Sequence, residues 1–100
     1  MLNDTVGLSR LSEIILTLSK FPQVEKAVVF GSRAKGNFKP TSDIDIALYG
    51  NLKYLDTERV AEELDELPII QKFDIVDYHR IDNSALIDHI DRVGITIFQR

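Results

Sequence analysis

Two aspartates stand two positions apart in the run Ser42-Asp43-Ile44-Asp45-Ile46-Ala47-Leu48. Ile44, Ile46 and Leu48 alternate with Asp43, Asp45 and Ala47, a strand pattern with two different faces. Positions i and i+2 of a strand share a face, so both carboxylates project the same way. Two adjacent carboxylates raise one another's pKa unless a cation lies between them. A hard divalent ion with oxygen ligands, Mg²⁺ above all, meets that need. Taken alone the pattern is also that of two solvated acids on an open sheet face, since ten Asp in 100 residues give about one Asp-x-Asp by chance.

A second element precedes it. Gly31-Ser32 follows the apolar run Ala27-Val28-Val29-Phe30, and ten residues separate Ser32 from Asp43. A chain that turns from a strand into a helical start leaves unpaired N–H groups, and glycine lets the backbone approach a phosphate closely. Ser32 adds a hydroxyl donor, and Arg33 and Lys35 add positive charge in a segment with no acid between Lys26 and Asp43. The third element is Asp74, opposite in parity to Phe73 and Ile75 and so on the polar face of its own strand. If that strand neighbours the one carrying Asp43 and Asp45, the three carboxylates form a cluster able to bind two metal ions, with Asp74 as base for an incoming hydroxyl. Asp77, of opposite parity and nearer the strand end, is the alternative third carboxylate.

The elements that must position these residues are legible from periodicity. Leu8, Leu11, Ile15 and Leu18 predict a helix from about residue 6 to residue 20, closed by Pro22. Residues 24–30 read as a strand, 31–41 as a functional loop, and 44–48 as a second strand ended by Gly50. Asp56 is the expected cap of a second helix, with Leu55 and Val60 as a staple, Val60, Leu64 and Leu67 as the buried stripe, and Pro68 as the stop. Residues 73–78 form a third strand, Asn83 or Ser84 opens a third helix that Gly94 caps, and residues 95–98 close the chain as a strand. The order predicts an α/β (α+β) fold, a mixed sheet of about four strands with helices packed largely on one face.

Composition bounds the function. The chain has 100 residues, 44% hydrophobic and 28% charged, which predicts one globular domain spanning 1–100. There is no cysteine, hence no disulfide framework, thiolate nucleophile or Cys-based zinc site. A net charge of −4 argues against stable binding of nucleic acid as a polymer, whereas the local cations suit a small anion. The opening MLNDTVGLSR carries no secretory pattern and the longest apolar runs are far too short for a membrane span, so a cytoplasmic protein without membrane contact is expected. His79 and His89 lack a zinc-ligand partner spacing and read as structural or surface groups, and Tyr49, Tyr54 and Tyr78 as packing residues.

Val29-Phe30-Gly31-Ser32-Arg33-Ala34-Lys35-Gly36, then Ser42-Asp43-Ile44-Asp45-Ile46-Ala47, then Phe73-Asp74-Ile75-Val76-Asp77 resemble the minimal nucleotidyltransferase family of the DNA polymerase β-like nucleotidyltransferase superfamily. The resemblance covers about residues 24–98. It implies the polymerase β-like fold and transfer of AMP from ATP to a hydroxyl. Gly31 and Ser32 would hold the nucleotide phosphates, with Arg33 and Lys35 neutralising charge. Asp43, Asp45 and Asp74 would be the catalytic, metal-binding carboxylates, for two Mg²⁺ ions. Similar short proteins pair with a helical HEPN-domain protein, and the resemblance implies an antitoxin that AMPylates such a partner within a hetero-oligomer. Ile95 and Phe98 are the expected exposed docking residues. The competing reading is a non-catalytic acidic binding module that neutralises a basic partner by masking its active surface.

Overall fold

The computed structural model describes residues 7–100. Its elements are α1 (Leu11–Ser19), β1 (Val24–Phe30), the short α2 (Ser32–Lys35), β2 (Ile44–Gly50), α3 (Asp56–Asp65), β3 (Phe73–Asp77), a 3₁₀ turn (Tyr78–Arg80), α4 (Ser84–Val93) and β4 (Ile95–Gln99). The start of the first helix predicted near residue 6 lies outside the described residues. The described helix begins at Leu11, after a turn in which Leu8 is already buried.

The strands form one sheet in the order β3-β2-β1-β4. β1 runs antiparallel to both β2 and β4, while β2 and β3 are parallel and are joined through α3. A parallel pair needs such a crossover, because a tight turn cannot return the chain to the same end of the sheet. The sheet is therefore mixed, as predicted.

Its faces explain the run Ala27-Val28-Val29-Phe30, in which all four residues are buried. Ala27 and Val29 join Ile44, Ile46 and Leu48 in the main core beneath α1 and α3, which contribute Leu11, Ile14, Leu18, Val60 and Leu64. Val28 and Phe30 face the other way, where Ala47 and Ile90 of α4 complete a second, smaller core. A strand covered on both faces loses its alternation. Two helices thus cover one face, and α4 closes part of the other.

Three local expectations change. Asp56 is the first residue of α3 rather than its cap; its carboxylate is buried and turns back to accept the Lys53 N–H at 2.7 Å. Leu55 sits at the cap position with φ 72° and is exposed, so it does not pack as a staple. Ile95 and Phe98 are half-buried against the main core instead of exposed, because β4 is hydrogen-bonded to β1 and not a free flap. The exposed large apolar residues are Leu16, Tyr54, Leu55 and Ile70 among the described residues. Asn83 does cap α4, its Oδ1 accepting the N–H groups of Ala85 and Leu86. No described helix is long and apolar enough to cross a membrane.

Candidate active site

β2 sits between β1 and β3, and its ladder partners decide what surrounds Asp45. On one side Asp45 is paired with Asp74 of β3. On the other it is paired with Phe30, the last residue of β1. Directly opposed residues of a parallel pair point to the same face, so Asp45 and Asp74 project together. Asp43, two positions earlier, adds a third charge. The structure therefore gathers Asp43, Asp45 and Asp74 at one end of the sheet, with Asp43 and Asp74 exposed and Asp45 half-buried.

Asp45 bears the strain of this crowding. Burial pushes its pKa up, and the charges of Asp74 and then Asp43 push in the same direction. Asp77 stands apart from the group. It is paired with Leu48, its Oδ1 accepts the His79 N–H at 3.0 Å, and its Oδ2 lies 3.5 Å from Arg80 Nε. Parity separates the two candidates for third carboxylate: Asp74 shares the face of Asp45, and Asp77 does not.

The chain leaves β1 through Gly31, whose backbone (φ 73°, ψ −152°) lies in a region essentially reserved for glycine. A Cβ at Gly31 would stand 2.3 Å from Asp45 Oδ2. Glycine is thus required twice, for the bend and for the space that the carboxylate occupies. The Gly31 N–H is engaged, donating to His89 Nε2 at 3.0 Å. Ser32–Lys35 then makes a single helical turn that Gly36 ends at φ 86°. The Ser32 hydroxyl has no hydrogen-bond partner among the described residues, and Lys35 is exposed.

Arg33 points elsewhere. It is 1% exposed, stacks at 4.9 Å over the Phe38 ring, and donates to the carbonyls of Gly7, Pro40 and Ser42 at 3.1–3.3 Å. Desolvation lowers its pKa from the ordinary arginine value. Its position braces residues 36–42, the segment that delivers Asp43 to the end of β2. Of the two cations in the loop motif, only Lys35 extends into solvent.

His89, read from the sequence as a structural or surface group, is tied to the turn beside the acids. It shares the inward stripe of α4 with Leu86 and Ile90, and it reaches across 58 positions to Gly31. That stripe was readable: Leu86, His89, Ile90 and Val93 follow helical spacing, and a polar member of such a stripe must meet the sheet.

The donor set of the carboxylate cluster is all oxygen, which fits a hard cation. Among the described residues no group of three or more His, Cys, Asp or Glu forms a ready-made metal cage. Mg²⁺ does not require one, because it commonly uses one or two carboxylates together with waters and substrate phosphates.

No curated protein matches the chain. Solved structures do match in fold. A toxin–antitoxin complex determined with AMP-PNP has 24% identity and a TM-score of 0.74, over 90% of this chain and 73% of that one. The MNT antitoxin complex of a tri-AMPylated Shewanella oneidensis HEPN toxin has 22% identity and a TM-score of 0.68, over 90% and 70%. A MntA–HepT toxin–antitoxin complex has 22% identity and a TM-score of 0.67 over the same shares. The family model described as "Polymerase beta, Nucleotidyltransferase" matches residues 12–100, which takes in the Gly-Ser turn, all three carboxylates and every strand, and the chain belongs to that family.

Proposed function

We propose that the protein transfers AMP from ATP to a hydroxyl group on a helical HEPN-type partner, and that this modification is how it acts as the antitoxin of a pair in the cytoplasm. The observation that carries this reading is the ladder pairing of Asp45 with Asp74, beside Asp43 and against the Gly31-Ser32 turn. The fold neighbours that contain AMP-PNP or an AMPylated HEPN toxin support the choice of nucleotide and acceptor.

In this reading Asp43, Asp45 and Asp74 would hold Mg²⁺, as two ions. When bound, the metal neutralises the triphosphate and makes the acceptor hydroxyl more acidic. The chain's own groups do the rest. Ser32 donates its hydroxyl to a phosphate oxygen, and Gly31 leaves beside it the space that the Asp45 carboxylate fills. Lys35, free to reach outward, adds a positive charge beside the leaving pyrophosphate. Asp74, exposed at the sheet edge, takes the proton of the acceptor hydroxyl as its oxygen attacks the α-phosphorus and pyrophosphate departs. Arg33 enters this scheme as the brace of the loop rather than as a phosphate ligand.

The test is to incubate the chain and a HEPN-type partner with Mg-ATP and weigh both intact proteins. The partner should gain the mass of AMP, and the Asp43→Asn, Asp45→Asn double variant should add none while remaining folded. Comparable transfer by the double variant would sink the carboxylate assignment. An unmodified partner that the double variant still inhibits would establish masking in place of catalysis.

A further inference from the structure

We infer that His89 is a positioning residue for the nucleotide site, acting through Gly31 on Asp45; this rests on the nucleotidyl-transfer reading of the carboxylate cluster. Two contacts hold the imidazole in place. Its Nε2 accepts the Gly31 N–H at 3.0 Å, and its ring stands edge-on to Phe30, with centroids 6.2 Å apart and planes at 80°. An acceptor Nε2 places the ring proton on Nδ1. The helix that carries His89 is itself seated closely. A Cβ on Gly94, at its end, would lie 2.5 Å from Val28 Cγ1 and 2.4 Å from the Ile90 carbonyl oxygen, so α4 can rest on β1 only with glycine there.

The consequence runs from α4 to the acids. Gly31 holds a backbone conformation open to glycine, and the space over its Cα is filled by the Asp45 carboxylate. The hydrogen bond that the Gly31 N–H donates to His89 Nε2 is the long-range tie on that amide among the described residues. Releasing it frees Gly31 to change conformation, and such a change moves the wall against which Asp45 rests. A tie that served only to fasten α4 would affect stability alone. A positioning tie also affects ligand binding at the acids, because small misplacements at a reacting centre are expensive.

Glutamine separates the two roles, since its amide oxygen can stand where Nε2 stands, whereas leucine fills the space without an acceptor. The experiment compares His89→Leu and His89→Gln with the wild type in three measurements: hydrogen exchange of the Gly31 amide by NMR, affinity for Mg-AMP-PNP by calorimetry, and thermal stability. The Gly31 amide of His89→Leu should exchange at least about tenfold faster, and its Mg-AMP-PNP affinity should fall on the order of tenfold. His89→Gln should restore most of both. Should His89→Leu fail to fold, His89→Asn, whose oxygen falls short of Gly31, takes its place with the same expectations. Lost protection with unchanged affinity overturns the positioning role, as does a glutamine variant as weak as the leucine one. A wild type that binds no Mg-AMP-PNP overturns the nucleotide reading and the positioning role together.

Discussion

Gly31→Ala is the sharpest perturbation of this site, because one methyl group meets two constraints at once. The first is conformational. Gly31 holds φ 73° and ψ −152°, where a residue with a side chain costs roughly 1–3 kcal/mol. The second is steric. The new Cβ would lie 2.3 Å from Asp45 Oδ2, the tip of a rotatable side chain, so the carboxylate swings aside before the backbone moves. The expected stability loss is about 2 kcal/mol from strain, a fall in Tm of about 8–16 °C for a domain of this size. Transfer should fall on the order of a hundredfold at 25 °C, since displacement of about 1 Å at a reacting centre has that effect. Gly36→Ala is the control. Gly36 also has positive φ, 86°, but nothing lies within 4 Å of its added Cβ, so it should lose roughly 1–2 kcal/mol and keep its activity. Melting curves by circular dichroism and transfer rates on the same preparations give the comparison. Equal activity loss in the two variants, or full activity in Gly31→Ala after a normal drop in Tm, would refute the claim that Gly31 shapes the seat of Asp45.

Asp45→Asn should raise Tm at pH 7, because crowding and burial lift the folded-state pKa of Asp45 above its unfolded value. Between those two values the native chain holds the extra proton, so stability falls as pH rises through that window; the advantage of the variant should fade as pH drops through the same window and be gone below the unfolded value, and a gain independent of pH would contradict the cause. Ser32→Ala should weaken Mg-ATP binding by about 1–2 kcal/mol, the loss of one donor among several, and calorimetry showing a larger loss than Gly31→Val would defeat the backbone cradle. Arg33→Met should lower stability by about 3 kcal/mol, since it strands carbonyls that the guanidinium satisfies in the interior. A normal melting temperature with reduced nucleotide affinity would return Arg33 to the phosphates.

Strand parity put Asp74 on the polar face of its strand but left Asp77 as the alternative, because the neighbour of that strand was not legible. Asp43 and Asp45 share a face by their spacing, and Asp74 differs from Phe73 and Ile75 by one position, so the cluster followed once β3 lay beside β2. The unbroken run Ala27-Val28-Val29-Phe30 marked a strand, and its burial on both faces emerges only with α4 in place. Long-range partners were not legible. Nothing near Arg33 in sequence shows that its charge turns inward to backbone carbonyls, because carbonyl acceptors leave no mark on residue type. Nothing near Gly31 reveals His89, 58 positions away. The Asp56 cap failed for a local reason: Leu55 adopts φ 72°, and the turn it makes sends the carboxylate backward to Lys53.

The placement of the acids along β2 also explains why they do not unfold the sheet. Exposure falls from Asp43 through half-buried Asp45 to fully buried Ala47 and Leu48, as the strand passes under α4 on one face and over α1 and α3 on the other. Charge is thus confined to the end where water still reaches, and apolar contact on both faces anchors the remainder. Asp45 stands at the boundary. It is far enough in for burial to raise its pKa, and close enough to Asp43 and Asp74 for their charges to add. A cation beside the cluster would relieve more repulsion at Asp45 than at its exposed neighbours, because the same charge acts more strongly where water is partly excluded. Asp45 is thus the one of the three acids at which burial and neighbouring charge act together.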